Sequence, residues 1–456
     1  MSRSLTQGLA IDIGTSKITL VQFDFSSMEV VQTVTEENAS DVPLSDTCRH
    51  EQDPLITWSI VQTLLREMTS LSSVEFIAIT AQAHGILLID QMGNPRTNLI
   101  TWRDARPVQL PTKESYKQAN GCLLHKGYAG RTLVSLVQGG LPSEPLHICT
   151  IASFILGKLS GCFSIDETLA SSTGVFDIQN RCWNAPQLQA LGIPLSLFPP
   201  TIAPCTPVGK ILAPVAQEFG LPSSTLVCSP IGDNQASFLG STGFTMAGVV
   251  NIGTGGQFSI PGKSENPSPA VEVRPLLGSS FIQVYASLCG GWSYLYLKNF
   301  CKDMLAQFGV IATDKRVYEI LNRLALEAGP ENTLQVDTEF LGNRCGDEVN
   351  GSITHIDTHN FTLGNLAQAF LRGIVKELHT PFIKMEGISF LVASGNAVRK
   401  NPVMVTLLQE EFGLPVVLSP FLDEAAIGSL FGCASLLGGD VYKQKIAAFY
   451  RAHFNI

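Results

Sequence analysis

The strongest constraint on the fold of this 456-residue chain is a short motif that occurs twice. Ile11-Asp12-Ile13-Gly14-Thr15 aligns without gaps with Val250-Asn251-Ile252-Gly253-Thr254, and the two copies lie 239 residues apart, about half the length of the chain. Each copy is typical of an apolar strand that turns at Gly-Thr into a second apolar strand. One short match is weak support for a duplication, but its spacing predicts two halves that begin with the same β-hairpin. We therefore predict domains at residues 1–243 and 244–456.

The pattern between these hairpins predicts a chain of the α/β class. Helically spaced apolar residues precede a short apolar run in each half, residues 58–71 before 76–79 and residues 366–378 before 390–393. A helix that leads into a buried strand is the expected structure for each pair. The two halves therefore share their order of elements as well as their first hairpin.

Composition excludes several classes of partner. Hydrophobic residues make up 45% and charged residues 15% of the chain, which favours a folded globular protein. A formal charge of -9 without any basic run argues against a nucleic-acid partner. Residues 234–262 are uncharged but interrupted by seven glycines, and residues 425–439 are too few to cross a bilayer, which takes about 20. The 11 cysteines are scattered without a Cys-x-x-Cys pair, so we expect reduced thiols, no membrane segment and a cytoplasmic protein.

Asp12 is the first candidate functional residue, because it interrupts an apolar strand. An unpaired buried carboxylate costs several kcal/mol, so a partner is expected. The turn that follows, Gly14-Thr15-Ser16-Lys17, offers amides, hydroxyls and an amine that suit phosphate oxygens. Asp12 could then face a magnesium ion, directly or through water. The alternative is a tight hairpin with a hydrogen-bonded Asp, and the residues alone favour neither.

The second hairpin repeats this design without a carboxylate. Gly253-Thr254-Gly255-Gly256 presents amides and one hydroxyl on a turn that lacks bulky side chains. Taken alone, such a turn is more often structural, but together the two hairpins indicate a grip on one polyphosphate. The chain contains no Gly-x-x-x-x-Gly-Lys-Ser/Thr loop and no protein-kinase signature set.

Two further segments could line binding sites. The strand Leu391–Ser394 ends in small residues at Gly395, and Asn401-Pro402 then predicts a helix start, which leaves room for a purine and ribose. A plain strand–turn–helix is the commoner interpretation of that segment. Asp233 follows a short apolar run and stands among small polar residues, so it could be a general base or simply an Asp-capped turn.

A polyol would need donors, acceptors and an aromatic face, and two nearby segments supply them. Gln82-Ala83-His84-Gly85 follows the apolar run 76–79, and Trp102-Arg103-Asp104-Ala105-Arg106 comes shortly afterwards. Each segment alone could be a satisfied polar loop. Together they predict the lining of a sugar site.

Taken in order, these motifs resemble the FGGY carbohydrate kinases. The shared set is Asp-x-Gly-Thr, Gln-x-His-Gly, Trp-x-Asp-x-Arg, Gly-Asp-x-Gln-Ala, the second Gly-Thr hairpin and the late strand before Asn401, and it spans nearly the whole chain. The resemblance implies the actin/hexokinase/Hsp70-like (ribonuclease H-like) fold, with two duplicated α/β domains and a central cleft for ATP and sugar. It implies ATP-dependent phosphorylation of the terminal hydroxyl of a ketose. Residues 98–106, 286–291 and 363–379 are most similar to members that phosphorylate sedoheptulose, although xylulose kinases share the substrate motifs.

The resemblance also implies a role for each candidate. Asp233 would be the catalytic base and contact the sugar, and Asp12 would be associated with Mg²⁺. Phosphate contacts would come from Gly14, Thr15, Ser16, Gly253 and Thr254. Gly395 and Asn401 would flank the nucleoside. The remaining sugar contacts would come from Gln82, His84, Trp102, Asp104 and Asp166.

Three departures from the family pattern predict slower turnover. Thr19 stands where a lysine is usual, so the pattern does not support a phosphate contact by Lys17. Asn343 replaces a common glutamate, and Gly255-Gly256 replaces a serine-containing turn. These departures favour one rival, a sugar sensor with low activity. A second rival is a nucleotide-dependent switch that shares the two hairpins, and the segments at 82–85 and 102–106 argue against it. The expected partners are sugar and ATP, with a homodimer as a further option.

Overall fold

The computed structural model describes residues 5–111, 124–141, 146–263, 265, 268, 270–342, 350–382, 385 and 387–455. The predicted departure at Asn343 lies outside these residues. The strands, in chain order, are β1 (Gln7–Ile13), β2 (Lys17–Asp24), β3 (Glu29–Glu37), β4 (Glu51–Gln52), β5 (Phe76–Ala81), β6 (Leu87–Asp90), β7 (Leu99–Ile100), β8 (Leu146–Cys149), β9 (Ile165–Asp166), β10 (Phe176–Asp177), β11 (Cys182–Trp183), β12 (Thr201–Ile202), β13 (Pro207–Lys210), β14 (Leu226–Cys228), β15 (Ile231–Gly232), β16 (Gly248–Ile252), β17 (Gly256–Gly262), β18 (Glu272–Pro275), β19 (Phe281–Ser287), β20 (Gln335–Asp337), β21 (Ser352–Thr354), β22 (Leu391–Ser394) and β23 (Val416–Leu418). The helices are α1 (Pro54–Glu67), α2 (Ala129–Gln138), α3 (Ile151–Ser160), α4 (Glu167–Ser171), α5 (Ala185–Ala190), α6 (Ala213–Phe219), α7 (Asp233–Thr242), α8 (Gly290–Gln307), α9 (Asp314–Glu327), α10 (Leu363–His379), α11 (Asn396–Arg399), α12 (Pro402–Phe412), α13 (Glu424–Leu437) and α14 (Asp440–Phe454).

The described residues form two compact units. The first contains residues 5–245, 273–282 and 423–455, and the second contains residues 246–272 and 283–422. Each has its own apolar core, built on the faces of its own sheet. No helix in the described part of the chain is both long enough and apolar enough to span a bilayer.

The sheet of the first unit has the strand order β13-β14-β5-β1-β2-β3, and β15 also pairs with β5. The hairpin β1–β2 is antiparallel, whereas β1 and β14 both run parallel to β5. Every residue of β5 is buried, which is expected for a parallel strand covered on both faces. The helix α1 precedes β5, as its sequence spacing predicted.

The sheet of the second unit repeats this arrangement. Its strands follow the order β19-β17-β16-β22-β23, with β16–β17 antiparallel and with β22 parallel to both β16 and β23. Asp12 and Asn251 are each the second-last residue of the first hairpin strand in their unit. The helix α10 buries Leu366, Phe370, Ile374 and Leu378 before the chain enters β22. The duplicated α/β fold predicted from the paired motif is therefore confirmed.

The two units divide the chain differently from the predicted division into residues 1–243 and 244–456. The first boundary is close to the prediction, but residues 423–455 cluster with the first unit. The reason is a very close packing of α13 against α7. A Cβ on Gly428 would lie 1.7 Å from the carbonyl oxygen of Ala236, and one on Gly240 would lie 1.9 Å from that of Glu424. Only glycine at both positions allows the two helix backbones to touch.

Candidate active site

Strand register brings two acids to one edge of the first sheet. Asp12 in β1 and Ile231 in β15 both pair with Thr80 of the central strand β5. Asp233 follows two residues after Ile231 and is the first residue of α7. Because the three strands are parallel, their carboxyl ends meet at the same edge, which is where α/β sheets bind ligands.

Asp12 is partly exposed, and its carboxylate makes no hydrogen bond or ion pair with any described residue. Burial and, to a smaller extent, the nearby charge of Asp233 raise the pKa of Asp12 to about 7, with smaller contributions from Asp423 and Glu424 and an opposing one from Lys17. The ammonium of Lys17 lies 3.1 Å from Asp423 Oδ1, so its closest charged partner is a carboxylate of the same unit. The carboxylates around Asp12 therefore carry more negative charge than Lys17 can neutralise.

Asp233 lies in a different environment. Its Oδ1 accepts a hydrogen bond of 2.8 Å from the amide of Asn234. Burial raises the pKa of Asp233, and this hydrogen bond together with the charge of Arg274 opposes the rise. Arg274 is itself buried, and its guanidinium donates to Asn234 Oδ1 at 3.0 Å. A carboxylate with a raised pKa is a stronger proton acceptor than an ordinary one.

The residues around Asp12 fit a hydrated magnesium ion. Mg²⁺ in nucleotide sites is usually bound through one or two carboxylates, several waters and substrate phosphates. Asp12 has a free carboxylate in surroundings with excess negative charge, which a divalent cation would relieve. No group of three or more His, Cys, Asp or Glu side chains in the described ranges forms a complete protein metal site. The donor set therefore fits a cation that arrives with its nucleotide.

The turn after β1 is held by the predicted sugar residues. The hydroxyl of Thr15 donates to Gln82 Oε1 at 2.7 Å and accepts from Trp102 Nε1 at 2.9 Å. Gln52 donates to the carbonyl of Thr15 at 2.9 Å and accepts from the amide nitrogen of Gln82 at 2.8 Å. Ser16 remains exposed, and the amide of Gly14 donates to the Lys17 carbonyl to close the turn.

Two of the predicted sugar residues present accessible surface. Trp102 is 40% exposed, and Arg103 stacks over its ring at 5.4 Å. His84 is partly exposed, has a positive φ of 70° and stacks on Tyr128 with 4.1 Å between ring centroids. Both can face a polyol. Gln82 is buried, and both ends of its side-chain amide are engaged within the protein.

Two of the predicted sugar contacts, Asp104 and Asp166, are buried carboxylates with hydrogen-bond partners inside the protein. Asp104 is paired with Arg106 through two hydrogen bonds and accepts another from the amide of His50 at 3.0 Å. Burial opposes its ionisation, but the hydrogen bonds from Arg106 and His50 outweigh that effect and lower the pKa of Asp104. Asp166 is fully buried and caps the short helix α4. Neither side chain reaches the surface, and both support the backbone through these bonds, so a sugar contact by Asp104 or Asp166 stays a prediction.

In the second unit, the Gly-Thr turn is packed against the start of α8. Gly291 donates to the carbonyl of Gly253 at 3.0 Å, and Trp292 donates to that of Thr254 at 2.9 Å. A Cβ on Gly290 would lie 2.1 Å from the carbonyl carbon of Gly255. The glycines at 255 and 290 therefore allow hairpin and helix to meet, and the turn keeps Thr254 exposed.

A cavity of about 640 Å³ adjoins this turn within the second unit. Asn401 lines it, caps α12 through Val403 and donates to Asn322 Oδ1 at 3.1 Å. The same Asn322 oxygen accepts from the hydroxyl of Tyr294 at 3.0 Å. The volume lies in the range of small-molecule sites. The lining includes Gly291, Tyr294, Lys315, Tyr318, Asn322, Asn396, Ala397 and Asn401.

Gly395 lies at the end of β22, directly before Asn396, which lines this cavity. Its φ is 87°, and a Cβ there would lie 2.5 Å from the carbonyl oxygen of Ile252. Only glycine fits this conformation and approach. Of the two residues predicted to flank the nucleoside, Asn401 lines this cavity. Sequence reasoning did not single out Tyr294, Tyr318 and Asn322, because helix periodicity does not reveal which polar side chains of α8 and α9 face a cavity.

The duplicated sheets and the acids at the edge of the first define the class of protein only broadly, as a two-unit α/β protein with an acidic candidate site. Comparison with known families narrows it, since a model of the FGGY family of carbohydrate kinases, N-terminal domain, matches residues 8–240, more than half of the chain. This chain belongs to the FGGY family of carbohydrate kinases.

Individual relatives agree with this family. Mouse sedoheptulokinase is 26% identical over 402 residues, which covers 80% of this chain and 82% of the mouse protein. Among solved structures, the xylulose kinase of Lactobacillus acidophilus has a TM-score of 0.82 at 18% identity and covers 97% of this chain and 91% of its own. Plasmodium falciparum glycerol kinase with ADP has a TM-score of 0.79 at 18% identity, covering 98% and 94% of the two chains. These structures share the fold.

Proposed function

We propose that this carbohydrate kinase transfers the terminal phosphoryl group of ATP to the terminal hydroxyl of a ketose, with sedoheptulose as the first candidate and sedoheptulose 7-phosphate as the product. The observation that carries the reaction type is the pair Asp12 and Asp233, two acids with raised pKa values at one edge of the first sheet. The choice of sugar rests on the similarity to mouse and human sedoheptulokinase, each 26% identical to this chain.

In the proposed reaction, Asp233 accepts the proton of the sugar hydroxyl as that oxygen bonds to phosphorus. Phosphoryl transfer has a loose transition state, so positioning and charge neutralisation supply most of the rate. Asp12 would hold the magnesium ion that accompanies ATP, and that ion supplies neutralisation of phosphate charge when bound. Trp102 and His84 would orient the sugar through an aromatic face and an imidazole.

The second unit would bind the nucleotide. The cavity beside Asn401 and Tyr318 has room for a nucleoside, and a structural relative, the Plasmodium falciparum glycerol kinase, was solved with ADP. We propose phosphate contacts at the two turns, from Gly14, Thr15, Ser16, Gly253 and Thr254. Lys17 is engaged with Asp423, so we do not include it among them.

A coupled assay of ADP release tests the proposal against a panel of sedoheptulose, xylulose, ribulose and glycerol with MgATP. The expected result is sugar-stimulated ADP release with the highest kcat/KM for sedoheptulose. Asp233→Asn keeps the shape of the side chain and should lower kcat by about 10² to 10⁴, the usual range for a lost general base. Asp440→Asn, an acid with an 87% exposed side chain, is the matched control and should behave as the wild type.

Other outcomes select other functions. A preference for xylulose or ribulose would make the protein a pentulose kinase of the same family. Binding of a sugar by calorimetry without any ADP release would favour the sensor. Identical ADP release with and without every sugar would reject the proposal, as would full activity of Asp233→Asn.

We further propose that the protein is a cytoplasmic homodimer. The cytoplasmic location is supported by the scattered, reduced cysteines. The dimer is supported by an exposed apolar stripe on and after α8, which includes Phe308 at 80% and Ile311 at 99% exposure. Stable interfaces bury about 800 Å² per partner and are enriched in aromatic residues and Met. The other exposed members are Tyr296, Phe300, Met304 and Val310.

Light scattering at micromolar concentration tests the dimer. We expect the mass of two chains for the wild type and of one chain for the double variant Phe300→Glu/Phe308→Glu. A monomeric wild type would reject the dimer without affecting the proposed reaction.

A further inference from the structure

The short helix α4 contacts the backbone on either side of the proposed active site. It covers only Glu167–Ser171, yet its first turn bonds to the residue before Asp233, and Ser172, which caps its C-terminal end, bonds to His84. None of its own side chains belongs to the proposed acid pair. These contacts connect α4 to the backbone of both Gly232 and His84.

The first turn of α4 is organised by Asp166. The amides of Thr168 and Leu169 donate to Asp166 Oδ1 at 2.9 and 3.2 Å, and the Thr168 hydroxyl donates to the same oxygen. A side-chain acceptor at this position satisfies amides that the helix itself leaves free. Because Asp166 is fully buried, these bonds are shielded from water.

Thr168 connects Asp166 to the segment that carries Asp233, the proposed base. Its hydroxyl accepts a hydrogen bond of 2.8 Å from the amide of Gly232. A hydroxyl has one proton, so donation to Asp166 leaves its lone pairs for Gly232 and fixes the direction of both bonds. Gly232 directly precedes Asp233 and is the N-cap residue of α7. The bond therefore holds the peptide from which the Asp233 side chain projects.

Ser172, the C-cap residue of α4, holds His84 in a similar way. The amide of His84 donates to the Ser172 hydroxyl at 3.0 Å, and its ring nitrogen Nδ1 lies 2.7 Å from the Ser172 carbonyl oxygen. His84 has a positive φ, a conformation that is uncommon for residues other than glycine and needs support from its surroundings. Ser172 supplies that support through two bonds.

We propose that α4 is a positioning element that sets Asp233 through Thr168 and His84 through Ser172, with Asp166 as the residue that orders the helix. This inference rests on the proposed function, since it assigns α4 to the geometry of phosphoryl transfer. Asp166, Thr168 and Ser172 are positioning residues, because none of them touches the reacting atoms. Loss of the Thr168 bond should therefore affect the base Asp233, and loss of the Ser172 bond should affect His84 and the binding of the sugar.

Thr168→Val removes the hydroxyl but keeps the shape of the side chain. We expect kcat to fall by about 10- to 100-fold, the scale of a misplaced catalytic group, while KM for ATP changes less than about twofold. Thr168→Ser restores the hydroxyl and should return kcat to within about threefold of the wild type. If the Val variant does not fold, as judged by its melting temperature, Thr168→Ala carries the same test.

Ser172→Ala removes one of the two bonds to His84. We expect KM for the sugar to rise about fivefold, as for one lost hydrogen bond, with a smaller change in kcat. Ser171→Ala is the matched control, because among the described residues the Ser171 hydroxyl bonds only to the Thr168 carbonyl of its own helix. This control should change neither constant.

Hydrogen exchange of the Gly232 amide supplies a readout that does not depend on activity. We expect slow exchange in the wild type and in Thr168→Ser, and faster exchange in Thr168→Val. Equal kcat in wild type and Thr168→Val, or equal losses in the Val and Ser variants, would overturn the role of α4 and leave the proposed function intact. A wild type without sugar-dependent turnover would overturn the proposed function and, with it, the role of α4 in catalysis.

Discussion

The indole nitrogen of Trp102 donates a hydrogen bond of 2.9 Å to the hydroxyl of Thr15. Trp102 was predicted to face the sugar and Thr15 to face phosphate, so a single contact joins two candidate sites of the first unit. The Thr15 hydroxyl donates in turn to Gln82, and these two bonds fix the orientation of the hydroxyl. A change at one of these side chains should therefore affect both substrates.

Trp102→Phe tests this link. The variant keeps an aromatic face for the sugar but loses the donor to Thr15, so we expect KM to rise about three- to tenfold for both sugar and ATP. Steady-state kinetics with each substrate varied in turn measure the effect. Trp183→Phe is the matched control, because its indole nitrogen donates to the Pro199 carbonyl at 2.7 Å instead. A rise in KM for the sugar alone would show that the two sites are independent.

Asp12 should make nucleotide binding depend on pH. Its pKa of about 7 means that protons compete with the magnesium ion below neutral pH. We expect the affinity for MgATP, measured by calorimetry, to be constant above about pH 8 and to fall up to about tenfold per unit well below pH 7. Asp12→Asn should bind MgATP more weakly and without this pH dependence. Unchanged affinity in Asp12→Asn would reject Asp12 as the magnesium-associated acid.

The same carboxylate should lower stability at high pH. The pKa of Asp12 is raised above its unfolded value, so between about pH 4 and pH 7 the folded state binds more protons and loses stability as pH rises. Asp12→Asn removes this effect. We expect a higher urea midpoint than the wild type at pH 8 and no such gain near pH 4. A gain that persists at pH 4 would have another cause.

Arg106 should be important for folding rather than for sugar contact. Its guanidinium is nearly buried and bonds to Asp104 and Glu51. Removal of one member of a buried ion pair costs about 3 to 5 kcal/mol, so Arg106→Met should lower the urea midpoint strongly. Arg66→Met, which breaks the exposed pair with Glu218, should cost less than about 1 kcal/mol. If Arg106→Met were as stable as the wild type but had a raised KM for the sugar, the result would favour a sugar contact by Asp104 over a role in stability.

Asn401→Asp tests the cavity of the second unit. Aspartate can still cap α12 but loses the donor to Asn322. We expect KM for ATP to rise about five- to tenfold with little change in KM for the sugar or in melting temperature. Asn332→Asp, whose amide donates to the Asn365 carbonyl elsewhere in the unit, is a comparison for the general effect of the change. Equal KM values for ATP in wild type and Asn401→Asp would exclude Asn401 from the nucleotide site.

Local pattern was sufficient for much of the fold. The two Gly-Thr hairpins and the two helix–strand pairs followed from periodicity and turn chemistry, because both depend on neighbouring residues. Asp12 could be singled out for the same reason, since a carboxylate in an apolar strand is visible in the sequence. The position of α13 could not be foreseen, because it depends on the contact of Gly428 with a helix almost 190 residues away.

The sequence by itself determined that two similar α/β halves exist and that the first of them carries several candidate acids. The tertiary structure alone decided which of those acids are available. Asp104 and Asp166 have the same chemistry as Asp12, but one is closed off by Arg106 and the other by α4. These partners are near in the chain, but the packing that buries them brings in distant residues, such as His50 beside Asp104 and Gly232 beside Thr168. A side chain's exposure is therefore not encoded in its own neighbourhood.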